Sequence, residues 1–113
     1  MYGDVSFIEL GSGETDTKKS QLFFQQVFGW DFHPMPRGGG WFQAPLIRVG
    51  LHGKDPGGQI YVFFEVLNLE EAMATVRRAG GEADPPMIEE PGFGRFSNCR
   101  DPQGIRFGLH QKP

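Results

Sequence analysis

Apolar and polar positions along the chain recur with two different periods. Residues 5–10 and 60–66 alternate between apolar and polar, as a half-buried strand does. Residues 46–52 and 105–110 alternate in the same way, each after a Gly/Pro-rich stretch. Weaker strands are expected at 30–35, 40–43, 82–88 and 95–99, where glycine and proline blur the pattern. Helical spacing replaces alternation twice. Leu22, Phe23 and Val27, with Phe24 and Phe28, follow the turn-rich Gly11–Asp16 segment; Asp16 is the expected N-cap and Gly29 the stop. Leu69, Ala72, Met73, Val76 and Ala79 follow Asn68, which forms a capping-box-like pair with Glu71, and Gly80-Gly81 ends the pattern.

The order is therefore β-α-β-β-β twice, within one α+β domain. Module 1 is expected at about 1–54 and module 2 at about 59–113, with Gly53-Lys54-Asp55-Pro56-Gly57-Gly58 as the joint. An internal repeat supports the division. Ile47-Arg48-Val49-Gly50-Leu51-His52-Gly53-Lys54 matches Ile105-Arg106-Phe107-Gly108-Leu109-His110-Gln111-Lys112 at six of eight positions, on the last strand of each half.

Alternation sorts each strand into two faces. Ile8 and Leu10 oppose Phe7 and Glu9, and Val62, Phe64 and Val66 oppose Tyr61, Phe63 and Glu65. Ile47, Val49 and Leu51 oppose Arg48, Gly50 and His52, and Ile105, Phe107 and Leu109 oppose Arg106, Gly108 and His110. The aliphatic faces are expected under the helices, covering both apolar stripes. The other faces mix aromatics, arginines, histidines and glutamates. That mixture suits a surface enclosing a small molecule; a solvated face of paired charges or a dimer contact is the alternative.

Composition narrows the class. A length of 113 residues with 38% hydrophobic and 22% charged residues is that of one globular domain. A net charge of -3 gives no reason to expect nucleic acid or an anionic membrane as partner. No apolar run approaches the roughly 18 residues of a membrane span. The start of the chain lacks the basic and apolar regions of a signal peptide, and the lone Cys99 excludes an internal disulfide, so a cytoplasmic protein is expected.

The run FFQQVFGWDF after the FIEL strand, the run YVFFEVLNLEEAMATVRRAGGEAD, and the terminal PGFGRFSNCRDPQGIRFGLHQ together cover nearly the whole chain. They resemble the vicinal-oxygen-chelate superfamily of glyoxalases, bleomycin-resistance proteins and dioxygenases. The resemblance implies two βαβββ modules whose mixed sheet curves around a cavity, and often a homodimer. Its enzymes hold a divalent metal at four positions, which fall here on Phe7, Tyr61, Gly50 and Gly108. A phenyl ring and two glycines offer no ligand atom, so neither metal nor other cofactor is expected.

Candidate ligand-contacting residues are Phe7, Glu9, Arg48, His52, Tyr61, Phe63, Glu65, Arg106 and His110. Arg48 and Arg106 suit a carboxylate or phosphate, or pair with Glu9 and Glu65. Phe7, Tyr61, Phe63 and Trp41 could wall a planar ligand. His52, His110, Glu9 and Glu65 leave a displaced metal site conceivable, although strand-end histidines near solvent are the commoner case. Glu9 or Glu65 could serve as a metal-free general base. Cys99 reads as an inert thiol, His33 as an ordinary strand-end residue, and Gly38-Gly39-Gly40 as a hairpin, since no lysine of a phosphate loop follows it. The expected function is metal-free small-molecule binding. A divergent lyase, isomerase or dioxygenase-like enzyme and a protein-interaction subunit stand as alternatives.

Overall fold

The computed structural model describes residues 3–13, 16–55, 58–87 and 89–113. Met1, Tyr2, Glu14, Thr15, Pro56, Gly57 and Ile88 lie outside the described residues, and with them parts of the chain start, the approach to the first helix, the joint and the 82–88 strand. The elements run β1 (Val5–Gly11), α1 (Lys18–Phe28), β2 (Asp31–Pro34), β3 (Gly40–Gln43), β4 (Arg48–His52), β5 (Gln59–Glu65), α2 (Leu69–Arg78), β6 (Glu82–Ala83), β7 (Arg95–Arg100) and β8 (Arg106–Gln111). The order is the predicted one. Contacts divide the chain into two compact units, Phe7–Tyr61 and Val62–Pro113, the latter with the residues before Phe7.

In the first unit the strands lie in the order β2-β3-β4-β1. β1 and β4 are parallel, with Phe7 opposite Arg48, Glu9 opposite Gly50 and Gly11 opposite His52; β2/β3 and β3/β4 are antiparallel. Leu10, Phe42, Ala44, Val49 and Leu51 form the core, with Ile8, Phe24, Trp30, Phe32 and Ile47 against it. The aliphatic face is buried, as its alternation predicts. β4 begins two residues later than expected because Ala44 N–H bonds the Ile47 carbonyl at 3.0 Å, closing a turn that leaves Leu46 exposed.

Helix α1 departs from expectation. Leu22, Phe23, Val27 and Phe28 are all more than half exposed, so the predicted stripe is not covered. Phe24 instead faces the core, 6.2 Å from the Phe42 ring, and Phe28 stacks on Trp30 at 4.5 Å. The helix is thus apolar on two sides, and periodicity alone could not choose between them. The N-cap is Thr17 rather than the expected Asp16: the Thr17 carbonyl accepts the Gln21 N–H at 2.9 Å and no side chain caps the helix. Asp16 Oδ1 accepts the Lys18 N–H at 2.9 Å just before it, and Gly29 at φ 71° ends the helix.

In the second unit the order is β5-β8-β7-β6, with β5/β8 parallel and the other pairs antiparallel. Leu69 and Met73 of α2 pack on Cys99 and Leu109, joined by Val66, Ala72, Val76, Ala83 and Phe107. Each fully covered side chain of this size contributes about 1.5–3 kcal/mol. Asn68 Oδ1 accepts the Glu71 N–H at 2.9 Å; Glu70 and Glu71 in the first turn and Arg77 and Arg78 in the last complement the helix dipole. β6 is far shorter than expected. Asp84 and Met87 still donate to β7 carbonyls, but Pro85 and Pro86 between them have no N–H to continue the ladder.

Candidate functional site

The helix-free face of the first unit carries a cross-strand row made by His33, Trp41, Gly50 and Glu9. His33 and Trp41 stack, with ring centres 4.1 Å apart. The Arg48 guanidinium lies 4.8 Å from the centre of the Trp41 indole, which holds the cation on this face. Gly50 is the gap in the row. A side chain there would meet Phe7 Cζ at 3.0 Å and Glu9 Oε2 at 3.2 Å, so these two groups lean over its bare backbone.

Glu9 belongs to a three-residue set. Its Oε1 lies 3.2 Å from His52 Nε2, and Asp55 Oδ2 lies 2.8 Å from Nδ1 on the opposite edge of the ring. Asp55 reaches this place because its N–H bonds the Ser12 carbonyl at 3.0 Å while Ser12 N–H bonds the His52 carbonyl at 2.8 Å. The turn sets Lys54 at φ 69°, an unusual conformation for a side chain-bearing residue. Gly11 supplies the seat: a Cβ there would fall 2.3 Å from Asp55 Oδ2. That oxygen is buried without a well-aligned hydrogen bond, its distance to Nδ1 notwithstanding. Burial pushes the Glu9 carboxyl above the usual carboxylate range; His52 pulls it back and Asp55 adds to the rise.

The repeat partner of His52 has a different environment. His110 is 5% exposed, which corrects the expectation of a strand-end histidine near solvent. Its Nε2 lies 2.6 Å from the Phe93 carbonyl, which can only accept, so Nε2 carries the proton. Burial lowers its pKa, so the ring is held neutral and Nδ1 accepts from Ser6 Oγ at 2.8 Å. The ring stacks on Phe96 at 4.3 Å. Both nitrogens are committed. Glu65 pairs with Lys112 at 3.2 Å rather than with an arginine. Phe63, 1% exposed, lies across Gly108, where a Cβ would sit 1.9 Å from the ring. Tyr61 donates its hydroxyl to Gln59, and Arg106 is exposed at the start of β8.

The residues at the superfamily's four metal positions do not fit a divalent ion. Phe7 and Phe63 crowd the two glycines with ring carbon, and the Tyr61 hydroxyl is directed to Gln59. The carboxylates of Glu9 and Asp55 stand on opposite edges of His52, so the three cannot meet at one point. Among the described residues no three His, Cys, Asp or Glu side chains converge on an ion.

The structure brings Phe7, Glu9, Arg48 and His52 together in the first unit, and Phe63, Glu65 and His110 in the second. Asp55 was hidden in the sequence as part of a joint; the His-x-x-Asp spacing after a strand was the available signal. His33 looked ordinary until strand pairing set it against Trp41.

No protein-family model matches the chain. Among solved structures, a hypothetical protein from Bacillus halodurans superposes with a TM-score of 0.77 at 13% identity, over 98% of this chain and 95% of that one. Methylmalonyl-CoA epimerase from Mycobacterium tuberculosis gives 0.72 at 12% identity, over 98% and 88%. Homoprotocatechuate 2,3-dioxygenase from Brevibacterium fuscum gives 0.75 at 17% identity, over 98% of this chain and 37% of that one. The chain has the α+β fold of the vicinal-oxygen-chelate superfamily. In sequence it is 26% identical to the protein named "Putative glyoxylase CFP32" of Mycobacterium tuberculosis and Mycobacterium bovis, over 96% of this chain and 46% of each relative. The chain thus spans about half the length of the curated relatives it matches.

Proposed function

We propose that the chain is a small-molecule-binding protein of the glyoxalase/bleomycin-resistance type that works without the superfamily metal. Its ligand, compact, planar and anionic, lies over Gly50 on the helix-free face of the first unit. The observation that carries this reading is the Arg48 guanidinium held against Trp41 beside a row whose centre is a glycine. A fixed fork of donors next to aromatic surface recognises a carboxylate on a flat body. Phe7 supplies apolar contact, and His52 and Glu9 the polar edge. In the second unit, Phe63, Glu65, Arg106 and His110 serve mainly to shape that unit's own face.

Calorimetry with small aromatic carboxylates tests the reading. Saturable binding unchanged by EDTA is expected, and Arg48→Ala should weaken it about tenfold or more, roughly 1.4 kcal/mol. Binding that requires a divalent ion, or that is indifferent to Arg48, would sink it. We also propose that two copies of the chain associate, since together they match the length of the curated relatives. A reducing, cytoplasmic setting suits Cys99, a buried thiol whose pKa burial raises. A second reading, an enzyme using a metal-free carboxylate base, is favoured by the burial of Glu9 against an imidazole.

A further inference from the structure

The second unit holds a hydroxyl and an imidazole that the ligand face does not use. Ser6 Oγ lies 2.8 Å from His110 Nδ1, although the two residues are 104 apart in sequence. The end of β5 brings them together. Glu65 N–H bonds the Asp4 carbonyl, and the next N–H, that of Val66, bonds the His110 carbonyl, each at 2.8 Å. The other ring nitrogen is fixed by a turn. Gly94, at φ 91°, lies so close to β8 that a Cβ there would fall 2.2 Å from the Gln111 carbonyl. That approach lets the preceding Phe93 carbonyl stand 2.6 Å from Nε2.

The proton positions follow. A carbonyl only accepts, so Nε2 carries the hydrogen, Nδ1 is a basic lone pair, and the Ser6 hydroxyl donates to it. The Ser6 oxygen keeps its lone pairs for an incoming electrophile. Ser97 offers the contrast: its Oγ donates to the Asp84 carbonyl at 2.7 Å, a group that takes no proton. Ser97 is also fully buried, whereas Ser6 is half-buried on the first strand. A hydroxyl on an imidazole whose far nitrogen is held by a third group is the arrangement of an activated nucleophile.

We propose that Ser6 is an acyl-accepting nucleophile, with His110 as its base and the Phe93 carbonyl as the group that orients the ring. Ser6 Oγ attacks the carbonyl carbon of an activated acyl compound. The Oγ–C bond forms and the bond from that carbon to the leaving group breaks. The proton passes from Oγ to Nδ1 and on to the departing group, so nothing is oxidised or reduced.

The ring is charged only in passing. Burial opposes that charge and Lys112 adds to the cost, while the Phe93 carbonyl and the Glu65 carboxylate offset it. With His110 so well covered, water scarcely reaches Nδ1 once an ester replaces the Ser6 hydroxyl. The acyl group therefore stays, and the transfer is a single event rather than a cycle. The compound that supplies it is a small acyl group on a good leaving group, such as an aryl ester.

The test is reaction with para-nitrophenyl acetate. The protein should release a single equivalent of nitrophenolate per chain in a burst, and peptide mass mapping should place the acetyl group on Ser6. Ser6→Ala should abolish the burst. His110→Gln, checked for a native melting transition, has no basic nitrogen and should slow it by about 100-fold or more. Ser6→Cys leaves His110 untouched and reads the base directly, whether or not the glutamine variant folds. At mildly acidic pH iodoacetamide should modify the introduced thiol faster than free cysteine. Cys99, a buried thiol whose pKa burial raises, should stay unmodified as the internal control. The absence of a burst, acetyl groups on lysines alone, or a burst kept at full rate in folded Ser6→Ala or His110→Gln overturns the proposal. So does an introduced thiol no more reactive than free cysteine.

Discussion

Gly50 and Gly108 hold the same place in the internal repeat, yet a carboxylate and a phenyl edge lean over one and a whole phenyl ring over the other. Gly108→Ala would push a methyl into Phe63, which is buried and has nowhere to go. A loss of about 1–3 kcal/mol is expected in urea unfolding, and much of it should disappear in the Phe63→Ala background. The titrating groups give opposite pH signatures. His110 is depressed by burial, so its contribution is complete above the ordinary imidazole value and is lost as pH falls through the lower folded one. His110→Phe should therefore flatten the fall in unfolding midpoint as pH drops below the ordinary imidazole range, while costing about 1–3 kcal/mol through loss of the hydrogen bonds to the Phe93 carbonyl and Ser6. Glu9 is raised, so its contribution is complete below the unfolded carboxylate value and is lost as pH rises through the raised one. Glu9→Gln should gain stability relative to the parent as pH increases, measured by urea midpoints across that range. Strand parity made Glu9, Arg48 and His52 legible as neighbours. Asp55 was not, because its position depends on a backbone angle at Lys54 and an absent side chain at Gly11, neither of which leaves a periodic trace.

The ten elements among the described residues were legible in order and, apart from β6, nearly in extent, since alternation and helical spacing mark them. Asn68 followed three residues later by Glu71 gave the start of α2, and the structure forms that cap. Asn68→Ala should cost about 1 kcal/mol in thermal unfolding. Helix α1 is less determined by its own spacing. With five apolar residues spread over two faces, its inward side depends on what it meets: Phe24 meets Phe42 of β3, while Phe28 stacks on Trp30 just before β2 and stays half exposed. Phe24→Ala should cost about 2–3 kcal/mol, whereas Phe23→Ser should stay within about 0.5 kcal/mol. Equal costs would mean that the helix is turned differently in solution. The short β6 has a simpler origin: adjacent prolines end a ladder that alternation would continue.

At the scale of the molecule the fold tolerates great sequence divergence, with TM-scores above 0.7 at identities of 11–18% among structures that include an epimerase and several dioxygenases. Such breadth shows why architecture could be read early while chemistry could not, for the sheet constrains parity and leaves the side chains free. No helix among the described residues is long and apolar enough to cross a membrane. Sedimentation equilibrium should report twice the mass of one chain if two copies associate; a single-chain mass at all concentrations would exclude it.

The ring above Gly108 also bears on engineering. An imidazole introduced at 108 would collide with it, and trimming position 63 first would leave a void, so neither change is neutral alone. Building an ion cage at this position demands simultaneous replacements, a barrier that stepwise drift cannot easily cross.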